Sequence, residues 1–351
     1  MKSIVYADLQ ATSGGARCFK NPLRSLQEWR VETFFRDLYG LYVKHECNSL
    51  WDLGDTMDDR SLLPVPAIDT TLAGLDQFPE GNHLKLTGNH EQVLKNTLVS
   101  NSRMFTPYFT VADQPTALLS KRGGCRILLA PFPASNRDLT DWIDDKRHTA
   151  KDFPATILLG HFQTVGSATR HGVLLEGVSV DCMDWVDLAL LGHIHKPQSL
   201  TDRIHYVGSP FEQNWGEAQE SKRVAVVDTD TLDLEWVSMD PFGYPRYLTV
   251  TLDQFEARCT EASEDRYKVC LTSQAEADRF YANPLAARAE ATYDYALDPQ
   301  EVSDPSADAS AWDFESVARR WMKDTPIEGA GINYTVEEMM ELAVEIRSYS
   351  E

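Results

Sequence analysis

Five short, mostly apolar runs in this chain each end at a turn that carries aspartate, asparagine or histidine. Runs of this kind are typical of buried strands. In an open α/β sheet, ligands bind in the crevice outside the carboxyl ends of the strands. The pattern therefore predicts a layered α/β fold in which several strand ends meet at one site. The runs are residues 4–7 before Asp8, 51–53 before Asp55, 84–86 before Asn89, 157–159 before His161, and 188–191 before His193 and His195.

The side chains at these turns predict a metal centre with mixed nitrogen and oxygen ligands, as Mn, Fe and Zn accept. Asp55, in the sequence Gly-Asp-Thr-Met-Asp, is the carboxylate best placed to bridge two ions. Two ions about 3.5–4 Å apart can clamp the attacking and leaving oxygens of a phosphoester displacement. The predicted ligands are Asp8 and His195 for one ion, and Asn89, His161 and His193 for the other.

His90 and Asp58 are the predicted catalytic residues. His90 directly follows the predicted ligand Asn89, so it can lie beside the metals without binding one. From there it is expected to contact the scissile phosphate or to protonate the leaving oxygen as a general acid. Asp58, in the same turn as Asp55, is expected to orient it.

The chain divides into four predicted segments. Strand and helix signals alternate through residues 1–240, which favours one layered α/β domain; its first helix has apolar residues at positions 31, 34, 35, 38, 41 and 42. Residues 241–298 mix both signals without candidate ligands and predict a small accessory domain. Residues 299–310 have the Asp, Ser, Pro and Ala composition of a flexible linker.

Residues 311–351 predict a helix–loop–helix. Capping boxes begin at Ser310 and Thr335, and apolar residues at helical spacing follow each of them. One interpretation is that the pair folds back on the main domain. The other is that its methionine- and aromatic-rich stripes dock onto a partner protein.

The chain is strongly acidic, with 33 basic against 54 acidic residues and a net charge of −21. Residues 251–351 hold 22 acidic and 9 basic residues, so more than half of the excess lies outside the predicted metal domain. Nucleic-acid-binding surfaces are normally basic, whereas divalent cations would offset part of the negative charge near a metal site. The acidity weighs against DNA as a substrate without excluding it.

The cysteine pattern and the hydropathy indicate the cellular compartment of the protein. Six scattered cysteines without a CxxC pair indicate a reduced, cytoplasmic chain with structural thiols. No apolar run approaches the ~20 residues of a membrane span, and the first residues enter a strand rather than a signal peptide. We expect a cytoplasmic protein with no membrane partner.

The ordered motifs D-x-Q, GDxxD, GNHE, GH and GHxH resemble those of the calcineurin-like metallophosphoesterase superfamily over residues 1–230. Residues 206–210 and 214–217 look like the Y-x-G-S and F-G-E segments of SbcD-type DNA repair and recombination nuclease subunits. The short chain, the small accessory domain and the C-terminal helical pair are most similar to the phage members of that family, which include the T-even recombination endonuclease subunit.

This resemblance implies a calcineurin-like β-sandwich flanked by helices, with residues 241–298 capping bound DNA. It also implies manganese-dependent exonuclease and endonuclease activity on DNA. The expected assembly is a homodimer of nuclease subunits within a heterotetramer, in which residues 311–351 bind the coiled coil of an SbcC-type ABC ATPase. A phage-encoded member would work in the host cytoplasm.

Gln10 departs from the family's D-x-H motif. The resemblance places residue 10 beside the ion held by Asp8, Asp55 and His195. A neutral amide oxygen is a weaker ligand than imidazole for a transition metal. We therefore expect this ion to be the looser of the two.

Three alternatives stay open. Small-molecule and cyclic-nucleotide phosphodiesterases share the metal set. Ser/Thr phosphatases carry an arginine straight after GDxxD, whereas Asp59 separates Asp58 from Arg60 here. The third alternative is a weakly active subunit that only scaffolds an ATPase on DNA. Gln10 suggests it, because a glutamine amide is a weak metal ligand.

Overall fold

The computed structural model describes residues 1–13, 24–93, 99–119, 124–168, 175–260 and 263–293. The described residues belong to one compact unit, Met1–Asp294. The predicted linker at 299–310 and the predicted helical pair at 311–351 lie outside the described residues. None of the described helices combines the length and the apolar character that crossing a bilayer requires.

Three sheets and five α-helices make up the described part of the chain. The helices are α1 (Leu26–Lys44), α2 (Val65–Leu75), α3 (Asn136–Arg147), α4 (Leu252–Arg258) and α5 (Gln274–Ala282). The strands are β1 (Lys2–Tyr6), β2 (Ser49–Asp52), β3 (Leu84–Leu86), β4 (Thr110–Ala112), β5 (Thr116–Leu119), β6 (Arg126–Ala130), β7 (Thr156–His161), β8 (Leu188–Gly192), β9 (Gln198–Ser199), β10 (Ile204–Tyr206), β11 (Arg223–Asp228), β12 (Leu234–Ser238), β13 (Tyr247–Thr251), β14 (Arg266–Leu271) and β15 (Ala289–Tyr293).

Two six-stranded sheets form the main body. The first sheet has the order β12-β11-β1-β2-β3-β4, and the second has the order β5-β6-β7-β8-β10-β9. Strands β1 to β4 run parallel, and so do β6, β7, β8 and β10. Parallel strands are normally buried on both faces, and burial of every residue of β6, β7 and β8 agrees with that rule.

Alternate residues of the strands face different layers. Val5 packs between the two sheets with Leu159 and Leu190 of the second sheet. Its neighbours Ile4 and Tyr6 pack instead against helix α1 on the outer face of the first sheet. Helix α3 covers the outer face of the second sheet in the same way. The predicted α/β fold, a β-sandwich flanked by helices, is confirmed.

Helix α1 shows why the outer layer forms where it does. Ser25 and Glu28 make a capping box at its first turn, and the apolar residues predicted from their spacing are all buried. Phe34 packs edge-on against Tyr6 of β1 with ring centroids 5.3 Å apart. The helix thereby closes the first sheet from solvent.

The third sheet, β13-β14-β15, is parallel and has its own small core. Helices α4 and α5 supply Phe255 and Phe280 to that core, where both pack beside Val269 of β14. This sheet lies within residues 241–298, the segment for which a small accessory domain is predicted. The boundaries of that domain stay a prediction.

Candidate metal centre

The parallel pairing brings the predicted ligands to one edge of the two sheets. Tyr6 pairs with Asp52 at the ends of β1 and β2, and His161 pairs with Gly192 at the ends of β7 and β8. The turns that follow these strands therefore start side by side at the carboxyl ends, where open α/β sheets bind ligands. The loop after β1 also runs along the loop after β2, since Asp8 N–H donates to the Gly54 carbonyl at 3.0 Å.

Left-handed backbone conformations concentrate at this edge. Within the described residues seven non-glycine residues have a positive φ, and four of them are predicted ligands. Each such conformation costs about 1–3 kcal/mol and tends to occur at functional sites. The four are Asp8 (φ 53°), Gln10 (φ 49°), Asp55 (φ 55°) and His193 (φ 84°).

Gly88 lets two of these loops approach closely. A Cβ atom at this position would lie 2.0 Å from Oδ1 of Asp55 and 2.5 Å from the Asp55 nitrogen. Only glycine leaves room for that contact. Gly88 of the GNHE motif thus allows the loop after β3 to pack against the loop after β2.

Four donor atoms converge beside these loops. His161 Nε2 lies 3.2 Å from Asp55 Oδ2 and 3.2 Å from Asn89 Oδ1. Asn89 Oδ1 is 2.7 Å from His193 Nδ1. Donors that share an ion at bond lengths of ~2.0–2.2 Å are themselves separated by roughly 3 Å, so this spacing fits one divalent ion. Among the described His, Cys, Asp and Glu residues, the group that could hold a metal is Asp55, His161 and His193.

Hydrogen bonding sets which nitrogen of His161 is available. Its Nδ1–H donates to the main-chain carbonyl of Leu53 at 2.7 Å. The lone pair of the neutral ring is therefore on Nε2, which faces Asp55 and Asn89. A metal-binding histidine is normally oriented by such a bond from its other nitrogen.

The electrostatics of the four-donor group favour a cation. Burial disfavours a charged imidazole, but the Asp55 carboxylate raises the pKa of His161 to about 9. Burial likewise opposes ionisation of Asp55, yet His161 lowers the pKa of that carboxyl to about 2. Burial and the neighbouring His161 lower the pKa of His193 to about 3. A proton on His161 thus offsets the buried carboxylate of Asp55 in the metal-free protein.

Asp8, Gln10 and His195 are arranged differently from the four donors. Both carboxylate oxygens of Asp8 accept the His193 N–H, at 3.0 and 3.1 Å, and burial raises the pKa of Asp8 to about 6. Gln10 Nε2 lies 3.1 Å from His195 Nε2. His195 Nδ1–H donates to Oε1 of Glu217 at 2.7 Å.

Glu217 is a site residue to which the sequence assigned no role. It is buried with a pKa of about 2, because burial is outweighed by its bonds to His195 and Lys222. Its only sequence signal is its place in the segment 214–217, which resembles a family motif.

His90 contacts Asp58 through the main chain. His90 Nδ1–H donates to the main-chain carbonyl of Asp58 at 2.5 Å. The Asp58 carboxylate is 3.6 Å from the same nitrogen, too far for a hydrogen bond. His90 N–H also donates to Asp55 Oδ1 at 2.8 Å. The ring therefore lies at the edge of the donor group, oriented by main-chain contacts.

A buried lysine supports the two central loops and is also absent from the sequence-based prediction. Lys85 of β3 has no exposed surface, and its Nζ lies 2.9 Å from Asp52 and 2.7 Å from Glu91. Glu91 accepts the N–H groups of Gly88 at 3.0 Å and Thr56 at 3.1 Å. One carboxylate thus joins the loop after β2 to the loop after β3.

A small pocket opens beside the donor group. Its volume is about 150 Å³, below the ~300–1,000 Å³ usual for small-molecule sites. Arg60 places a cationic side chain on its wall. The remaining lining residues are Asn89, Gln92, Phe132 and His193.

Comparisons with known proteins give distant likenesses. No family model and no curated protein matches the sequence. A dimetal phosphatase from Danio rerio shares 13% identity, with a TM-score of 0.42 over 68% of this chain and 98% of that one. A hypothetical protein from Thermus thermophilus shares 8%, with a TM-score of 0.39 over 68% and 98%. A glutamine-dependent NAD+ synthetase from Acinetobacter baumannii shares 10%, with a TM-score of 0.31 over 88% and 69%. Because these identities and TM-scores are low, the function is inferred from the side chains of the candidate site.

Metal binding at the four-donor group should release a proton. Because the pKa of His161 is raised to about 9, its Nε2 is protonated at pH 7, and an ion must displace that proton. We expect close to one proton released per Mn²⁺ at pH 7. The affinity should rise up to tenfold per pH unit and level off above about pH 9.

Calorimetric titration of the metal-free chain in buffers of different ionisation enthalpy measures this release. His161→Gln should lose both the tight binding and the proton. His148→Gln, at an exposed histidine, is the matched control and should change neither. Tight binding without proton release at pH 7 would show that His161 does not contact the ion.

Proposed function

We propose that the chain is a manganese-dependent hydrolase of phosphodiester bonds in DNA, a nuclease subunit of the SbcD type within the calcineurin-like metallophosphoesterases. One observation carries the proposal: Asp55, Asn89, His161 and His193 come from four strand ends and converge on one point. Such mixed ligation by imidazole, amide and carboxylate suits Mn and its neighbours.

The residues around the donor group suit a phosphoester. A divalent ion, when bound, supplies a Lewis acid that activates water and offsets phosphate charge. Arg60, on the wall of the adjacent pocket, can bind phosphate oxygens through charge-assisted hydrogen bonds. His90, held by its Nδ1–H on the Asp58 carbonyl, presents Nε2 to the leaving oxygen, and in its imidazolium form it can give the Nε2 proton to that oxygen.

The size of the pocket favours a polymeric substrate. A space of about 150 Å³ admits a phosphate group but leaves most of a nucleotide outside. A small-molecule phosphodiesterase would need walls for the rest of its substrate, as larger ligand pockets provide. DNA needs none, because its neighbouring nucleotides can lie along the surface.

A scaffolding subunit of low activity is the second candidate. The contact of Gln10 with His195 favours it, since that contact involves the nitrogen expected to bind a metal. Metal analysis and a cleavage assay separate the two candidates.

The proposed partners follow from the resemblance of the sequence. They are DNA, a second copy of this chain, and an SbcC-type ABC ATPase that binds residues 311–351. The location proposed with them is the cytoplasm of the cell or of a phage host.

Hydrolysis is tested by incubating the purified chain with linear duplex DNA and with a small phosphodiester, each with Mn²⁺ or EDTA. We expect Mn²⁺-stimulated cleavage of DNA and much slower turnover of the small ester. EDTA and Asn89→Ala should abolish cleavage, whereas Asn136→Ala, at an exposed position in α3, should not. Cleavage that survives both EDTA and Asn89→Ala would rule out this metal site.

His90→Ala should have a different effect from Asn89→Ala. His90 lies beside the donor group and not within it, so Mn²⁺ affinity should stay near normal. The turnover number should fall by about 10²–10⁴-fold, the usual contribution of a general acid. Loss of metal in His90→Ala, measured by the same titration, would contradict this role.

Ending the chain at Asp308 tests the proposed docking segment. The remaining residues should keep their melting temperature and their hydrolysis of the small ester. Association with an SbcC-type ATPase, measured by pull-down, should be lost. Unchanged association would contradict the docking role, and a large drop in melting temperature would favour the alternative in which the pair folds back.

A further inference from the structure

Both ring nitrogens of His195 are engaged by side chains. Nδ1–H donates to Glu217 at 2.7 Å, so the lone pair of the neutral ring is on Nε2. Gln10 Nε2–H donates to that nitrogen at 3.1 Å. A protonated ring would meet the amide oxygen instead, after rotation of the amide plane. In either state Gln10 occupies the nitrogen that a metal would need.

His195 is nevertheless held as metal-binding histidines are, by a carboxylate on its other nitrogen. Glu217 is itself fixed, because its Oε2 lies 2.7 Å from Lys222 Nζ and accepts the Ser209 hydroxyl at 3.0 Å. Lys222 Nζ also donates to the main-chain carbonyl of His195 at 3.2 Å. The ring therefore has a fixed direction, and the Gln10 amide lies on the side to which Nε2 points.

The position of Gln10 is set by the main chain. Its N–H donates to the Asp55 carbonyl at 2.9 Å, and the next N–H, of Ala11, donates to Thr56 at 2.7 Å. Gln10 also keeps a left-handed φ of 49°, which suits few residues other than glycine. These bonds tie the amide to the loop that carries Asp55.

Asp8 also makes hydrogen bonds within the protein. Its two carboxylate oxygens accept the His193 N–H, and its main-chain carbonyl accepts Gln213 Nε2–H at 2.6 Å. Among the described residues, neither Asp8 nor His195 joins the group of carboxylates and imidazoles that could hold an ion. The described carboxylates and imidazoles therefore assemble one candidate ion site.

We infer that the chain holds one divalent ion, at Asp55, Asn89, His161 and His193, and that Gln10 replaces the second ion by hydrogen bonding to His195. This inference rests on the proposed function and specifies its metal centre. Asp8 and His195 are then positioning residues, which hold the His193 main chain and the Gln10 side chain.

The number of ions is measured by titrating Mn²⁺ into the EDTA-treated full chain. Electron paramagnetic resonance counts the free ion and reports spin-coupled Mn²⁺ pairs. We expect one tight ion per chain and no coupled pair. Gln10→His supplies an imidazole, and Gln10→Glu supplies a carboxylate of the same length; each should bind a second ion and give the coupled signal.

His195→Ala is the matched variant on the other side of the contact. It should keep the single ion with less than about a tenfold change in Kd, because His195 contacts no metal. Two tight ions in the unmodified chain, or loss of an ion in His195→Ala, would overturn the inference. A single ion in both Gln10 variants would also overturn the inference. If a variant does not fold, the number of ions in the unmodified chain decides.

The same titration separates this inference from the proposed function. One tight ion without hydrolysis of DNA or of the small ester would support the metal count and overturn the nuclease. Two tight ions with hydrolysis would overturn the metal count and support the nuclease.

Discussion

The buried ammonium group of Lys85 is the contact that supports the loops of the candidate metal site. It lies between the carboxylates of Asp52 and Glu91, which without it would be two uncompensated charges in the core. Breaking a buried ion pair by removing one partner typically costs about 3–5 kcal/mol. Burial opposes the charge on Lys85, but the two carboxylates raise its pKa. Lys85 therefore stays charged, and Glu91 accepts the main-chain N–H groups of the two loops.

Those N–H groups determine where the site atoms lie. Glu91 holds the nitrogens of Asp55 and Thr56 on one loop and of Gly88 on the other. With the loops joined at their bases, Asp55 and Asn89 both reach His161 at 3.2 Å. The ionic cluster thus supports the candidate metal site through the main chain, by way of the hydrogen bonds that Glu91 accepts.

The layered fold could be predicted from the sequence, because strands such as residues 157–159 are continuous apolar runs between turn signals. The candidate ligands could be predicted because they follow those strands. Lys85 could not, since a charged residue inside a strand gives no sign of its buried partners. The link from Gln10 to His195 spans 185 positions, and no local pattern encodes it.

The left-handed backbone conformations of the site affect which substitutions are favourable for folding. Glycine would relieve roughly 1–2 kcal/mol at each of these positions, against a total stability of only about 5–15 kcal/mol. Random substitution with selection for folding alone would therefore drift toward glycine there. Aspartate, glutamine and histidine at these positions keep side chains that glycine would lack. Gln10 shares this left-handed conformation with Asp55 and His193, and its side chain contacts His195.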